Sequence, residues 1–232
     1  MKKLFLLVCM VVLLFSCQKE EEKPSDPVPK ANYLPLKIGN YWVYQRYQVD
    51  PLGNEILLNV PDSMVVKCDT TIHNKQYHVL ENFRGGTFFY TFLRDSSGYI
   101  VNERGVILFS ATNFTDILAI KEEYQNETLL FRTSAKMEKV DKPVILPAGR
   151  FDDVLDYKAT VIIPQSDGSN VTKEMNNLYA KDVGKIFEVT HFLVSNFWVE
   201  RRLVRYYVQT GGEWKVESGK LKIESGGRCG NF

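Results

Sequence analysis

A chain of 232 residues with 29 basic and 28 acidic side chains has no charge excess with which to grip phosphates, which argues against nucleic acid as a partner. Apolar residues at 44% and charged residues at 25% give the ordinary balance of a globular protein, with length enough for one large domain and a real core. After the first seventeen residues no run approaches ~18 uninterrupted apolar residues, so no transmembrane helix is expected there.

Residues 1–17 read MKKLFLLVCMVVLLFSC. Lys2 and Lys3 form a short basic n-region, and residues 4–15 are an unbroken apolar run. Such a run is too short for ~30 Å of hydrocarbon but has the size and flanks of a cleavable signal peptide. Ser16 stands directly before Cys17. The pattern resembles a bacterial lipoprotein signal, which implies cleavage after residue 16 and diacylation of the Cys17 thiol. Phe15 departs from the small or β-branched residue usual at its position. Cleavage removes Lys2 and Lys3, leaving 27 basic against 28 acidic side chains.

Residues 17–30 are the acylated cysteine and a tether. The stretch 18–30, QKEEEKPSDPVPK, has no aromatic residue, one aliphatic residue (Val28) and three prolines. It cannot bury enough apolar area to offset chain entropy, so an extended, solvated linker is expected. Gln18, Lys19, Glu20, Glu21 and Glu22, directly after Cys17, resemble the acidic export signal of Bacteroidetes surface lipoproteins. That resemblance implies an outer-membrane lipoprotein facing the cell surface, with the periplasmic face as the alternative.

Cys9 leaves with the signal, so Cys68 and Cys229 remain in a compartment where disulfides form. A bridge between them would close a loop of about 160 residues and add several kcal/mol. The other reading is two separate thiols, Cys68 buried in a strand and Cys229 on a tail.

Residues 31–232 read as a single β-rich domain. Strands are expected over 41–49, 55–60 and 63–72; in the last, Met64, Val66, Cys68, Thr70 and Ile72 alternate with polar residues at period two. His73-Asn74-Lys75-Gln76 reads as a hairpin loop into a strand over 77–84. Gly85-Gly86 and Ser96-Ser97-Gly98 then separate strands over 87–94, 99–102 and 106–110. Residues 115–126 carry the one expected helix, with Thr115 as cap, Asp116 in the first turn, and Ile117, Ile120 and Tyr124 at helical spacing. Strands resume over 129–138, 154–163, 171–180, 185–194 and 197–209, with short ones over 214–217 and 221–223. Residues 143–149 form a loop. The expected fold is all-β, a curved antiparallel sheet closing toward a barrel or sandwich, with at most one or two short helices.

Chemistry is sparse. His73, His78 and His191 stand at no recurring ligand interval, so no metal site is expected. Asp152 and Asp153 are adjacent and diverge on a strand, which weakens a carboxylate pair with Asp156. No nucleophile elbow, phosphate-cradling loop or dinucleotide fingerprint occurs, so no cofactor is implied and a non-enzymatic role is expected. The aromatics Trp42, Tyr44, Phe88, Tyr90, Phe92 and Trp198 either fill a β core or form a platform for an apolar or glycan ligand. Arg201, Arg202 and Arg205 read as a solvated basic face. Asp62-Ser63-Met64 and Asp69-Thr70-Thr71 resemble the O-glycosylation acceptor of Bacteroidetes envelope proteins.

Three phrases resemble recurring stretches of Bacteroidetes outer-membrane and surface lipoproteins of no assigned activity. They are LPLKIGNYWVY at 34–44, LPAGRFD at 146–152 and YAKDVGK at 179–185. The resemblance implies a family but brings no catalytic residues. On fold class alone, the sheet is similar to that of lipoprotein-carrier (LolA/LolB-like) domains. The function expected is a lipid-anchored envelope protein with a binding or structural role. A periplasmic carrier of lipid or another apolar ligand is the alternative, and a glycan-binding or hydrolytic surface protein comes third.

Overall fold

Fifteen strands and no helix make up the described residues, which are 32–193 and 195–209 of the computed structural model. All of them belong to the unit Ala31–Phe232. Cys17, Gln18, Lys19, Glu20, Glu21, Glu22 and Cys229 lie outside the described residues, as do the strands expected over 214–217 and 221–223.

The strands form two meanders that meet at a central pair. One runs β1 (Tyr41–Val49), β2 (Glu55–Ile72), β3 (Lys75–Arg84), β4 (Thr87–Ser96), β5 (Tyr99–Asn102) and β6 (Ile107–Ser110), each strand paired antiparallel with the next. The other comprises β7 (Ala119–Gln125), β8 (Thr128–Val140), β11 (Val154–Pro164), β13 (Asn177–Ala180), β14 (Gly184–His191) and β15 (Trp198–Tyr207). β15 returns beside β1 and fuses the two into one 13-stranded sheet, in which β12 (Asn170–Met175) pairs with β11. β9 (Val144–Leu146) and β10 (Gly149–Phe151) form a small hairpin of their own in place of the loop expected over 143–149.

Turn chemistry explains the regularity. Four hairpins close through two residues that both have positive φ: His73-Asn74, Gly85-Gly86, Ser97-Gly98 and Asn126-Glu127. Turns of that hand match the twist of the flanking strands, and Asn and Gly tolerate the backbone conformation.

The sheet curves until it nearly closes into a barrel. β6, at one edge, lies over strands of the other meander: Tyr157 on β11 donates its hydroxyl to the Ile107 carbonyl at 2.9 Å, and the Phe109 and Tyr179 rings are 4.7 Å apart. Phe109, Met137, Leu155 and Tyr179 form a small core there. The main core gathers Trp42, Tyr44, Met64, Val66, Leu80, Leu93, Ile186 and Leu203, with Phe151 of the small hairpin packed on it.

Residues 115–126 do not form the expected helix. Ile117, Ile120 and Tyr124 are 57%, 55% and 53% exposed, so their helical spacing buries no stripe. The cap signal is instead an Asn113 turn, whose Oδ1 accepts from the backbone N–H groups of Thr115 and Asp116. From Ala119 the chain pairs along β8 as an edge strand, and Lys121, Glu122 and Glu123 keep that edge charged. The expected strand over 171–180 is broken at Asn176. There the buried Asp156 carboxylate accepts from the Asn176 side chain at 2.5 Å and the Asn177 backbone at 2.9 Å, turning the chain from β12 into β13.

Candidate functional site

Sheet register assembles a polar row on the core face. Asp62 on β2 lies opposite Tyr44 on β1 and opposite Arg84 on β3. Arg46, two residues from Tyr44 and so on its face, lies opposite Arg201 on β15. Arg201 in turn lies opposite Glu188 on β14, and Glu188 opposite Asn177 on β13. Directly opposed residues share a face, so the row crosses six adjacent strands and the seam between the two meanders.

A bulge in β2 makes the arrangement possible. Between Leu58, opposite Arg46, and Asp62, opposite Tyr44, Asn59, Val60 and Pro61 bow out against Gln45 alone. Pro61 has no N–H to give a ladder, which suits it to a bulge, and its carbonyl accepts from Gly85 at 3.2 Å.

The Asp62 side chain is wholly buried. Arg201 Nε donates to its two carboxylate oxygens at 3.0 and 2.9 Å, and Nη2 donates to Oδ1 at 2.6 Å. The Arg201 guanidinium stacks 3.6 Å from the Tyr44 ring centroid, and the Tyr44 hydroxyl donates to the Lys185 carbonyl at 2.8 Å. Lys185 Nζ donates to Asn177 Oδ1 at 2.9 Å and pairs with Glu188 at 3.2 Å. Glu188 also faces Arg201 Nη1 at 3.7 Å and Arg84 Nη2 at 3.6 Å. The row reaches solvent at Arg84, whose side chain is 31% exposed.

Electrostatics hold Glu188 and Lys185 ionised. Burial pushes the Glu188 carboxyl pKa up, but the charges of Lys185, Arg201 and Arg84 outweigh it and bring it down to about 2. Burial pulls Lys185 down, yet Glu188 and Tyr179 leave its pKa above the ordinary lysine value. Burial raises that of Tyr44. None of these three shifts poises a group for proton transfer near neutrality.

Glu188 therefore makes stability pH-dependent. Its folded pKa lies below the unfolded carboxyl value, so its contribution is fully present above that value and is lost as pH falls through about 2. Over that window Glu188 contributes on the order of 3 kcal/mol. Chemical denaturation from pH 7 to pH 2 should show the deficit of Glu188→Gln against the native chain shrinking as pH falls. A deficit that stays constant contradicts the assignment. Asp156 works the other way: burial raises its carboxyl pKa despite its bonds to Asn176 and Asn177, so its own contribution grows as pH falls.

The aromatic residues expected as a platform divide between two faces. Trp42 is fully buried in the core and Tyr44 belongs to the polar row. Phe88 and Tyr90 lie opposite Phe83 and Glu81, on the side away from Arg84, and are exposed. Trp198, half-buried, donates its indole N–H to Glu200 at 2.9 Å on the face away from Arg201. Phe92 is half-buried opposite Val79. Cys68 is buried in β2.

The expected basic face also divides. Arg201 is buried on Asp62, whereas Arg202 pairs with Glu200 and Glu55 on the other face and Arg205 is exposed. In Asp62-Ser63-Met64 the Asp62 and Met64 side chains are buried and Ser63, which carries the hydroxyl, is half-buried.

The three histidines are dispersed: His73 at a hairpin tip, His78 on Asp69 at 2.7 Å, and His191 with its ring 5.7 Å from Trp198. Asp152 pairs with Arg150 at the surface while Asp156 is buried, so the carboxylates do not converge. Among the described residues no group of three or more His, Cys, Asp or Glu is placed to hold a metal ion. Among the same residues no helix is long and apolar enough to cross a membrane.

Sequence reasoning passed over Arg46, Arg84 and Glu188, and read Asp62 only as part of a glycosylation acceptor. A signal existed for Asp62, which stands in phase with the buried Met64, Val66 and Cys68, and for Arg201, in phase with Val199 and Leu203.

The three lipoprotein-like phrases meet around Trp42. Its indole N–H donates to the Val183 carbonyl at 2.6 Å, and Gly184 packs against the indole so closely that a Cβ would stand 3.2 Å away. Ala148, in the β9–β10 hairpin, donates to the Leu203 carbonyl at 3.1 Å. Asn40 is wholly buried, donates to the Pro35 carbonyl at 2.8 Å and accepts from the Gln209 backbone at 2.9 Å. These stretches build a junction in the fold.

No family model matches the chain, and no curated protein matches it. Among solved structures it is similar to a candidate lipoprotein from Parabacteroides distasonis, at 15% identity and a TM-score of 0.46, covering 76% of this chain and 99% of that one. It is also similar to a candidate exported protein with a YmcC-like fold from Bacteroides fragilis, at 13% identity and a TM-score of 0.43, with the same coverage. Likenesses this loose carry no functional residue over to this chain.

Proposed function

We propose that this chain is a lipid-anchored lipoprotein of the bacterial outer membrane, non-enzymatic, with a binding or structural role in the envelope. Residues 1–22 carry the reading: a basic start, a short apolar run, Ser16-Cys17 and an acidic stretch. Cys17 takes the acyl chains, residues 18–30 act as a wettable tether, and Glu20, Glu21 and Glu22 direct the β domain to the cell surface. One diacylated cysteine supplies two hydrocarbon chains, which suffices for stable attachment.

Growth with radiolabelled palmitate should label the native chain and leave Cys17→Ala unlabelled and released from the membrane fraction. Native chain without label, or Cys17→Ala still in the membrane, contradicts the anchor. In the same experiment, alanine at 20, 21 and 22 should protect the domain from protease added to intact cells. Unchanged cleavage assigns surface display to something other than the acidic stretch.

A further inference from the structure

We propose that Arg46 and Arg84, backed by Arg201 and Lys185, form a binding site for an oxyanion carried on an apolar body, either a carboxylate or a phosphate monoester.

Charge is unbalanced in the polar row. Four cations, Arg46, Arg84, Lys185 and Arg201, gather around two carboxylates, Asp62 and Glu188. Both carboxylates are already engaged, Asp62 by three hydrogen bonds from Arg201 and Glu188 by Lys185. Arg84 is left with carboxylate oxygens no nearer than 3.5 and 3.6 Å, and its Nε is buried without a hydrogen-bond acceptor. Buried donors in folded proteins are nearly always satisfied, so an orphaned guanidinium N–H calls for an acceptor from elsewhere.

Arg46 points to the same conclusion. Among the described residues its side chain makes no hydrogen bond or ion pair, although the residue is half-buried. Burial and the neighbouring Arg84 charge push its pKa below the ordinary arginine value, and the charges of Asp62 and Glu188 offset them only in part. An anion between them relieves that repulsion and accepts from both planar forks, the geometry that suits carboxylate and phosphate.

The surroundings set what the anion is attached to. Phe89 lies 5.9 Å from the Arg84 guanidinium and is exposed, Leu58 is opposite Arg46, and exposed Ile56 stands two residues further along β2. These side chains share the sheet face of Arg46 and Arg84 and give the pair an apolar margin, so an anion bearing a hydrocarbon body gains contact that a bare ion does not. The proposal deepens the binding role above. Its test reads affinity and the anchor test reads acylation, so each can fail alone.

Calorimetric titration of the mature chain should use octanoate and octyl phosphate, with octanol as the uncharged probe and inorganic phosphate as the probe without an apolar body. At least one octyl anion should bind more tightly than octanol or inorganic phosphate and should raise the unfolding temperature. Tighter octanoate assigns a carboxylate ligand; tighter octyl phosphate assigns a phosphate one. Arg46→Gln, which removes no native pairing, should fold normally and weaken that binding by about ten-fold or more. Arg84→Gln should do the same wherever it folds. Binding of octanol equal to that of the anions, no binding of either octyl anion, or an affinity unchanged in folded Arg46→Gln overturns the proposal.

Discussion

Replacing Asp62 with asparagine should lower the unfolding free energy by about 3–5 kcal/mol, the usual cost of removing one partner of a buried ion pair. The size follows from what is left behind. Arg201 remains buried under Tyr44 with only Glu188, 3.7 Å from its Nη1, as a carboxylate, and Arg84 loses one of the two carboxylates near it. The pair as a whole is worth far less than its halves, because desolvating two charges offsets most of their attraction. The double variant Asp62→Leu with Arg201→Met should therefore be more stable than Asp62→Asn alone. Urea denaturation of the three chains decides it. An Asp62→Asn midpoint equal to the native one contradicts the view that this pair ties β2 to β15.

Trp42→Ala should cost a comparable ~3–5 kcal/mol, the range for truncating a large buried aromatic side chain. Trp42 is the largest fully buried side chain among the described residues, and its indole N–H donates to the Val183 carbonyl at the junction of the three phrases. Gly184→Ala tests the same junction from the other side. Gly184 has φ +104, and an added Cβ would press within 3.2 Å of the indole ring. Both strain and overlap act against alanine, so destabilisation is expected there even though a single methyl group is added. Thermal unfolding measures both variants. Native-like stability in Trp42→Ala would show the junction to be held by other contacts.

The strands were legible in the sequence because period-two patterning and turn residues agreed. Met64 and Val66 are buried in the expected phase, and a bulge between Val66 and Cys68 then shifts the register so that Cys68 lies opposite Val79. His73-Asn74, Gly85-Gly86 and Ser97-Gly98 turn where Asn and Gly punctuate the chain. The pairing order was not legible. Nothing local marks β15 as the neighbour of β1, since that choice rests on contacts between residues more than 100 positions apart, such as Trp42 with Val183 and Asp62 with Arg201.

Residues 115–126 misled for a related reason. Helical spacing is a statement about burial, and with no partner to cover Ile117 or Ile120 the hairpin through Asn126-Glu127 prevailed. The candidate site was legible only in fragments. Asp62 carries the parity of its buried neighbours, but its meaning depends on the bulge at Pro61 and on a cation arriving from β15. Trp42 and Phe88 are both strand aromatics on paper. Register alone sends one to the core and the other to the opposite face.

Intact-mass and N-terminal peptide analysis of the protein purified from membranes tests the anchored account most directly. The mature chain should begin at Cys17 and carry the added mass of acyl chains on that residue. A mature N-terminus at another position, without acyl groups, would contradict it.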